Sequence, residues 1–235
     1  MAETMGRFVA RFTFDNFVVG KTNELAWARV SSLCHHPERE GSFIYLYSDH
    51  GLGKTHLLHA TGNALIARGI EETRLLLLCS ATAQAPSLPE GAYLFIDDLD
   101  AGNATVQERL GILAAEALSR GGNVVATGHR PAEDPHFSAP ALKTCLAHAE
   151  QADILPPEEE LLLAILQRAM EAEGITLPEE AVSFLVTNFS HDVGKLLGAL
   201  QRVKAFSLLN HGEITFLSTL RALHEFVWPV EKDRT

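Results

Sequence analysis

Short apolar runs alternate with longer stretches of helical periodicity in the first two thirds of the chain. The apolar runs predict buried strands at residues 44–47, 74–79, 94–96 and 123–127. Residues 55–68 and 106–120, which separate some of these runs, have the apolar spacing of helices. Strands that alternate with helices predict an α/β domain, with a parallel sheet flanked by helices.

The pattern changes at Pro156 and Pro157, after which we predict helices only. These helices cover residues 158–174, 177–188, 191–210 and 214–227. A proline pair between two different patterns favours a domain boundary. We therefore predict an α/β domain over residues 11–155 and a small all-α domain over residues 156–227.

The residues after the first predicted strand have the pattern of a phosphate-binding loop. Ser48 to Thr55 read Ser-Asp-His-Gly-Leu-Gly-Lys-Thr between a strand and a helix, with Ser48 in place of the usual first glycine. Glycines turn backbone N–H groups towards phosphates, the lysine reaches the terminal phosphates, and the threonine hydroxyl binds Mg²⁺. The predicted nucleotide-binding residues are Gly51, Leu52, Gly53, Lys54, Thr55 and His56, and Thr55 is also a predicted metal ligand.

Two acidic residues end the third predicted strand. Residues 93–98 read Tyr-Leu-Phe-Ile-Asp-Asp, and the carboxyl end of a buried parallel strand lies beside the loops of its neighbours. We predict that Asp97 holds Mg²⁺ through water and that Asp98 is the catalytic base that orients a hydrolytic water. The alternatives are an ordinary tight turn at Gly51 and Gly53 with a solvated lysine, and a capping turn at the two acids. Alone, the two acids would be weak evidence, but beside Lys54 and Thr55 they are strong evidence.

Composition narrows the classes of protein that fit. The chain has 235 residues, 46% of them hydrophobic, and a formal net charge of −11 at pH 7, which argues against binding nucleic acid over a broad face. No apolar run approaches the length of a membrane span, and the N-terminus lacks the apolar core of a signal peptide, so we predict a cytoplasmic protein. The three cysteines and eleven histidines show no convincing metal spacing.

Three motifs together resemble the AAA+ module of the DnaA family of bacterial replication initiators. They are Phe-Thr-Phe-Asp-Asn-Phe-Val-Val-Gly-Lys at residues 12–21, the phosphate loop with the start of its helix at residues 51–60, and Ile-Asp-Asp at residues 96–98. The resemblance covers residues 11–223. It implies a P-loop NTPase fold followed by a helical lid, and ATP or ADP with Mg²⁺ as cofactors.

The resemblance also implies residues for the base pocket and departures from the initiators. In the family, the segment matching residues 14–23 borders the adenine base, which implies Phe17, Val18 and Asn23 as base-pocket residues. Initiators carry a DNA-binding domain after the lid and a two-helix insertion before the Asp-Asp strand. This sequence stops at Thr235. The segment that joins Leu78 to the Asp-Asp strand is short and comprises only residues 79–92. We therefore expect no sequence-specific DNA binding, and a shortened regulatory relative of the Hda type.

The arginines that assist hydrolysis in the family are replaced in this sequence. Alignment back from the proline pair puts Cys145 at the arginine finger and Ala141 at a second arginine position. The lid's sensor arginine falls at Gly194, and the family's Ser-Asp after the sensor strand is Gly128-His129. An arginine finger is worth roughly 10³–10⁵ in rate. We expect slow or no turnover, and no hydrolysis in trans if the chain self-assembles.

Three functions fit these residues, and a regulator of initiation ranks first. In that function the nucleotide-bound chain docks on DnaA, with the sliding clamp as a further candidate partner, and alters the initiator's nucleotide state or assembly. Against it, residues 1–11 contain no glutamine of the clamp-binding peptide that Hda-type proteins carry. A helicase loader or adaptor of the same AAA+ clade is the second function, and a stand-alone ATPase is the third.

Overall fold

The computed structural model describes residues 7–79, 87–210 and 212–227. The chain divides between Leu155 and Pro156 into two compact units. The predicted absence of a two-helix insertion falls partly on residues 80–86, which lie outside the described residues. No helix within the described ranges is long and apolar enough to cross a membrane.

The first unit is built on a parallel five-stranded sheet. Its strands are β1 (Phe43–Tyr47), β2 (Leu75–Cys79), β3 (Tyr93–Asp97), β4 (Asn123–Gly128) and β5 (Glu150–Asp153). Their order across the sheet is β2-β3-β4-β1-β5, and every neighbouring pair is parallel. The predicted fold class, a parallel sheet flanked by helices, is confirmed. The strand order places the carboxyl ends of β3, β4 and β1 next to one another at one edge of the sheet.

Four helices accompany the sheet. They are α1 (Glu24–His35), α2 (Lys54–Ala67), α3 (Ala104–Ser119) and α4 (Pro140–Ala147). The sequence pattern predicts α2 and α3, whereas α1, α4 and β5 are not among the predicted elements. The sequence of β5 is Glu-Gln-Ala-Asp, and only its alanine is buried, because an edge strand pairs on one side alone and needs few apolar residues.

Both faces of the sheet are covered, and β1 shows how. Phe43 and Tyr45 belong to one apolar cluster, which includes residues of α3 and α4. Ile44 and Leu46 belong to a second cluster, which includes residues of α1 and α2. Successive side chains of a strand point to opposite faces, so a strand buried on both faces has a continuous apolar run.

The second unit contains four described helices around an apolar core. They are α5 (Glu159–Glu173), α6 (Glu179–Asn188), α7 (Val193–Asn210) and α8 (Phe216–Val227). The core includes Leu166, Leu185 and Leu200, each fully buried. Gly174 ends α5 at φ 64°, a left-handed conformation that glycine adopts without strain. Each of these helices therefore contributes apolar side chains from one face to the core.

Candidate nucleotide-binding site

The phosphate loop leaves β1 and enters α2 through two glycines in left-handed conformations. Gly51 has φ 74° and Gly53 has φ 97°. A Cβ on Gly53 would lie 3.0 Å from a ring carbon of Phe17. Glycine is therefore favoured at position 53 both by conformation and by space. The first N–H groups of α2 lack carbonyl partners within the helix, which leaves them available to an anion that binds beyond its N-terminus.

Lys54 spans the phosphate loop with a buried side chain. Its Nζ donates to the carbonyl of Ser48 at 2.8 Å, to the Ser48 hydroxyl at 3.0 Å and to the carbonyl of Asp49 at 2.8 Å. Burial lowers the pKa of Lys54, and nearby carboxylates, Asp98 first among them, oppose that shift. Ser48, the departure from the usual glycine, therefore supplies a hydroxyl that helps to orient the lysine.

A carboxylate and two hydroxyls meet where β3 and β4 end beside α2. The Thr55 hydroxyl lies 3.2 Å from both carboxylate oxygens of Asp97 and donates towards them. The Thr127 hydroxyl donates to Asp97 Oδ1 at 2.6 Å and accepts the Asp98 N–H at 2.9 Å. Mg²⁺ in nucleotide sites usually binds one or two protein oxygens, with phosphate oxygens and water completing its coordination. The oxygen atoms gathered here fit that preference.

Asp98 has an unusual backbone and a half-exposed carboxylate. Its φ of 53° is the one positive value among the described residues other than glycine, and its side chain is 46% exposed. Burial, followed by the neighbouring charge of Asp97, raises the pKa of Asp98. A strained residue at the carboxyl edge of a sheet, with a carboxylate that retains contact with solvent, is suited to hold a water molecule.

Next to Asp98 is a cluster of His50, His129 and Asp100, which the sequence alone did not predict to lie together. Buried Asp100 accepts the N–H of His129 at 2.9 Å, and its other carboxylate oxygen lies 3.4 Å from His129 Nδ1. The far nitrogen of His129, Nε2, lies 3.9 Å from Asp98 Oδ1. His50 of the phosphate loop stacks on His129, with ring centroids 3.9 Å apart. Asp100 thus orients an imidazole between the loop and the acidic edge.

The cluster shows no arrangement of a metal centre. Within the ranges that the structure describes, no group of three or more His, Cys, Asp or Glu side chains could hold a metal ion. One sequence feature points to this cluster: Asp100 and His129 each follow shortly after a predicted strand. However, without the strand order, the sequence does not show whether these two strands, and so the two side chains, are neighbours in the sheet.

The predicted base-pocket residues lie in one segment but differ in what they offer. Asn23 is buried, and its amide is used inside the segment, since Oδ1 accepts the Gly20 N–H at 2.8 Å and Nδ2 donates to the Val18 carbonyl at 3.0 Å. Phe17 is partly buried against the phosphate loop at Gly53. Phe17 and Val18 therefore offer apolar surface, whereas Asn23 shapes the segment.

His56, predicted among the nucleotide-binding residues, uses its side chain to hold the N-terminal segment. Its Nε2 lies 2.9 Å from the carbonyl of Thr13, and its ring packs against Phe12 and Phe17. Burial lowers the pKa of His56, which favours the neutral imidazole. Any contact of His56 with phosphate would therefore come from its backbone N–H, in the first turn of α2.

The residue aligned with the arginine finger is buried. Cys145 lies on α4, and its thiol donates to the carbonyl of Gly111 on α3 at 3.6 Å. A Cβ on Gly111 would lie only 2.3 Å from the backbone nitrogen of Leu142, so the two helices are in close contact here. Position 145 of this chain is a packing position between α3 and α4.

Comparisons with known protein families match both units. Residues 8–84 match the model of the bacterial DnaA ATPase domain, and residues 158–216 match that of the Hda lid domain. The chain is 29% identical over 245 residues to the chromosomal replication initiator protein DnaA of Symbiobacterium thermophilum, covering 97% of this chain and 54% of that protein. Both units of the chain are therefore similar to proteins of the DnaA family of AAA+ proteins. The chain spans about half the length of the curated DnaA relatives it matches.

Solved structures of DnaA have the same fold. Domain III of Thermotoga maritima DnaA superposes with a TM-score of 0.84 at 24% identity, covering 95% of this chain and all of that one. AMPPCP-bound DnaA from Aquifex aeolicus superposes with a TM-score of 0.72 at 20% identity, covering 84% of this chain and 66% of that one. The fold of this DnaA relative is therefore the AAA+ P-loop fold with a lid domain.

Proposed function

We propose that this DnaA relative binds ATP or ADP with Mg²⁺ and regulates the bacterial replication initiator DnaA in the manner of Hda-type proteins. The observation that carries the regulatory part is the match of residues 158–216 to the Hda lid domain, beside a DnaA ATPase match at residues 8–84. As a cytoplasmic regulator it acts on DnaA directly, with the sliding clamp as a further candidate partner and without sequence-specific binding to DNA.

The nucleotide part of the proposal assigns the phosphates to the loop between β1 and α2. Backbone N–H groups of Gly51, Leu52, Gly53 and His56 surround them, and the Lys54 ammonium exchanges its carbonyl partners for phosphate oxygens. In support, the Aquifex aeolicus DnaA structure holds the nucleotide analogue AMPPCP. The Thr55 hydroxyl and, through water, the Asp97 carboxylate would hold Mg²⁺, which when bound neutralises phosphate charge.

Slow turnover is the third part of the proposal. Asp98 orients a water molecule, and its half-exposed carboxylate is suited to that role. Cys145 and Ala141 offer no charge at the positions that align with the family's arginines, and Cys145 is buried. Without such a charge, stabilisation of the transition state is reduced by the several orders of magnitude that an arginine finger supplies. The chain then acts mainly through its bound nucleotide.

The partner is tested by affinity capture from the organism's own cells. Tagged full-length chain is used as bait with excess MgADP or MgATP, and captured proteins are identified by mass spectrometry. A Lys54→Ala bait is the matched control, because it lacks the ammonium on which nucleotide binding depends. We expect DnaA to be enriched with the wild-type bait in at least one nucleotide and to be reduced at least several-fold with Lys54→Ala.

Other outcomes contradict the proposal in different ways. Enrichment of the replicative helicase without DnaA would favour a helicase loader. Capture of neither protein with either nucleotide would overturn the regulatory role and leave a stand-alone nucleotide-binding protein. Absence of ADP and ATP binding in calorimetry would overturn the nucleotide part, whichever partner is found.

A further inference from the structure

The second unit has an open groove on its surface, between α6 and the start of α8. The groove has a volume of about 700 Å³, which is within the range of concave binding sites in proteins. Two aromatic rings line it, Phe184 of α6 and Phe216 of α8, which pack edge-on with centroids 6.0 Å apart. Glu179, Glu180 and uncharged polar residues of α6 complete the lining. The groove thus combines apolar surface with a border that carries charge.

Exposed apolar side chains are concentrated at the same end of α8. In the described part of the second unit, every large apolar side chain that is exposed lies between residues 208 and 217, at the end of α7 and the start of α8. They are Leu208 (66% exposed), Leu209 (80%), Phe216 (38%) and Leu217 (57%). Apolar residues that are exposed singly are ordinary, whereas a group of them beside a groove is typical of an interaction surface.

The charge of the groove comes from two carboxylates. Glu179 and Glu180 are exposed in the first turn of α6, and among the described residues no lysine or arginine lines the groove. Acids in a first turn stabilise a helix, and α5 begins in the same way with Glu159 and Glu160. The α6 pair differs from the α5 pair because it also borders the groove. Helix stabilisation therefore accounts for both pairs, but the α6 pair has a second role available to it.

The carboxylates narrow the kinds of partner that fit the groove. Their charge repels nucleic acid and anionic membranes. It also opposes a second copy of this chain, which has a formal net charge of −11. A protein segment with lysine or arginine beside apolar residues matches both the charge and the apolar surface. Of these partners, only such a segment is attracted by every part of the groove.

We infer that the groove between α6 and α8 is the docking site for a protein segment that carries lysine or arginine beside an apolar anchor. The anchor packs against Phe184 and Phe216, and its basic neighbours pair with Glu179 and Glu180. Burial of the anchor supplies most of the affinity, because it is worth more than an exposed ion pair. The carboxylates select against acidic segments. Docking at this groove involves the second unit alone and is independent of the proposed nucleotide binding.

The test measures binding of fluorescent peptides to full-length protein by anisotropy. The first probe is a short amphipathic peptide of leucine, phenylalanine and lysine. The second has glutamate in place of lysine, and the third has serine in place of the apolar residues.

Two double variants separate the charge of the groove from the net charge of the chain. Glu179→Lys/Glu180→Lys reverses the charge that borders the groove. Glu159→Lys/Glu160→Lys is the matched control, because it changes the net charge and the first turn of a helix in the same way. Phe216→Ala removes an aromatic ring from the groove, and Phe216→Leu, which keeps apolar surface, is its control. Thermal unfolding gives Tm for every variant.

We expect the wild type to bind the lysine peptide, and to bind the glutamate and serine peptides about 10-fold more weakly. Glu179→Lys/Glu180→Lys should weaken binding of the lysine peptide about 10-fold and should bind the glutamate peptide more tightly than the wild type does. The α5 control should keep the wild-type affinities within about twofold. Phe216→Ala should weaken the lysine peptide about 10-fold, and Phe216→Leu should weaken it less. If Phe216→Ala lowers Tm, the two charge-reversed variants decide the outcome.

Several results would overturn the inference, and they are distinguishable from one another. Equal losses of affinity in the two charge-reversed variants would show attraction to the net charge of the chain and not to the groove. A wild type that binds none of the three peptides would remove the docking site. A wild-type dimer in light scattering that Phe216→Ala dissociates would make a second copy the occupant. Tighter binding of the lysine peptide by Trp228→Ser would make residues 228–235, which lie outside the described residues, the occupant.

Discussion

The phosphate loop and the start of α1 differ in how their polar atoms are bonded. On the phosphate side, Lys54 donates to three oxygens of its own loop, and Thr55 is bonded to Asp97. At the start of α1, Thr22 and Trp27 each bury a polar atom without a partner among the described residues. The polar side chains of the loop are thus bonded to one another, whereas the start of α1 buries two polar atoms that lack partners among the described residues.

This difference has a consequence for binding energy. A bonded group exchanges one partner for another when a ligand arrives, and each exchange gives a modest net gain unless charge is added. An orphaned group recovers its whole desolvation cost on forming a bond. We therefore expect the Lys54 charge to supply most of the affinity of the loop for phosphates.

The largest expected effect comes from removing the charge on the phosphate side. Lys54→Ala should weaken MgADP and MgATP binding by about 100-fold or more, because a charge-assisted bond to phosphate is lost. Calorimetry measures the change, with Lys143→Ala on the exposed side of α4 as control. Binding that survives Lys54→Ala within threefold would show that the loop does not hold the phosphates.

A smaller effect is expected where the phosphate loop contacts the N-terminal segment, at Gly53 and Phe17. Gly53→Ala should reduce the free energy of unfolding by about 2 kcal/mol, because φ 97° is strained for alanine and the added Cβ crowds the Phe17 ring at 3.0 Å. Gly174→Ala is the control, since φ there is 64° and nothing lies within 4 Å of the added Cβ, so about 1 kcal/mol is expected.

Urea denaturation measures both changes. If the two variants lose equal stability, the Phe17 contact is not a constraint on the loop. MgADP binding by Gly53→Ala should weaken as well, whereas Gly174→Ala should bind as wild type does.

The smallest expected effect concerns the raised pKa of Asp98. A raised pKa means that the charged carboxylate is less favourable in the folded protein than in the unfolded chain, so stability falls as pH rises through that pKa. Asp98→Asn should therefore raise Tm at pH 7 by about 1 °C, a small gain because the group is 46% exposed. The gain should vanish below the ordinary pKa of about 3.9.

Asp134 provides a control of opposite sign. The backbone N–H of His136 lowers the pKa of Asp134, so its charged form is favoured in the fold and Asp134→Asn should lower Tm at pH 7. Differential scanning fluorimetry between pH 3 and pH 8 measures both. A Tm gain for Asp98→Asn that persists unchanged at pH 3 would have a cause other than the raised pKa.

Local patterns were enough to predict α2 and the loop before it, but not their surroundings. The order of glycine, lysine and threonine in residues 51–55 predicts the conformation of the loop, because that conformation depends on residues adjacent in the chain. The strand β5 was missed because its four residues, Glu-Gln-Ala-Asp, have no apolar pattern. Its pairing with β1 depends on contacts more than a hundred residues apart in the chain.

Within the site, the same division holds for individual residues. Thr127 was assigned only to a strand, yet its hydroxyl links Asp97 to the backbone of Asp98. Asn23 was a base-pocket candidate, and its amide is bonded within its own segment. Neither role follows from residue type, because each depends on which acceptor lies within about 3 Å in the folded chain.

The sequence by itself determined the class of this protein: a parallel sheet flanked by helices, a phosphate loop after a strand, a helical lid and a similarity to the DnaA family. Each of these is encoded in residues close together in the chain, where periodicity and spacing are legible. Only the tertiary structure decided that Asp100 orients His129, and that Thr22 Oγ1 and Trp27 Nε1 have no hydrogen-bond partner among the described residues. Those facts depend on strand order and on burial, which arise only when distant segments pack together and exclude water.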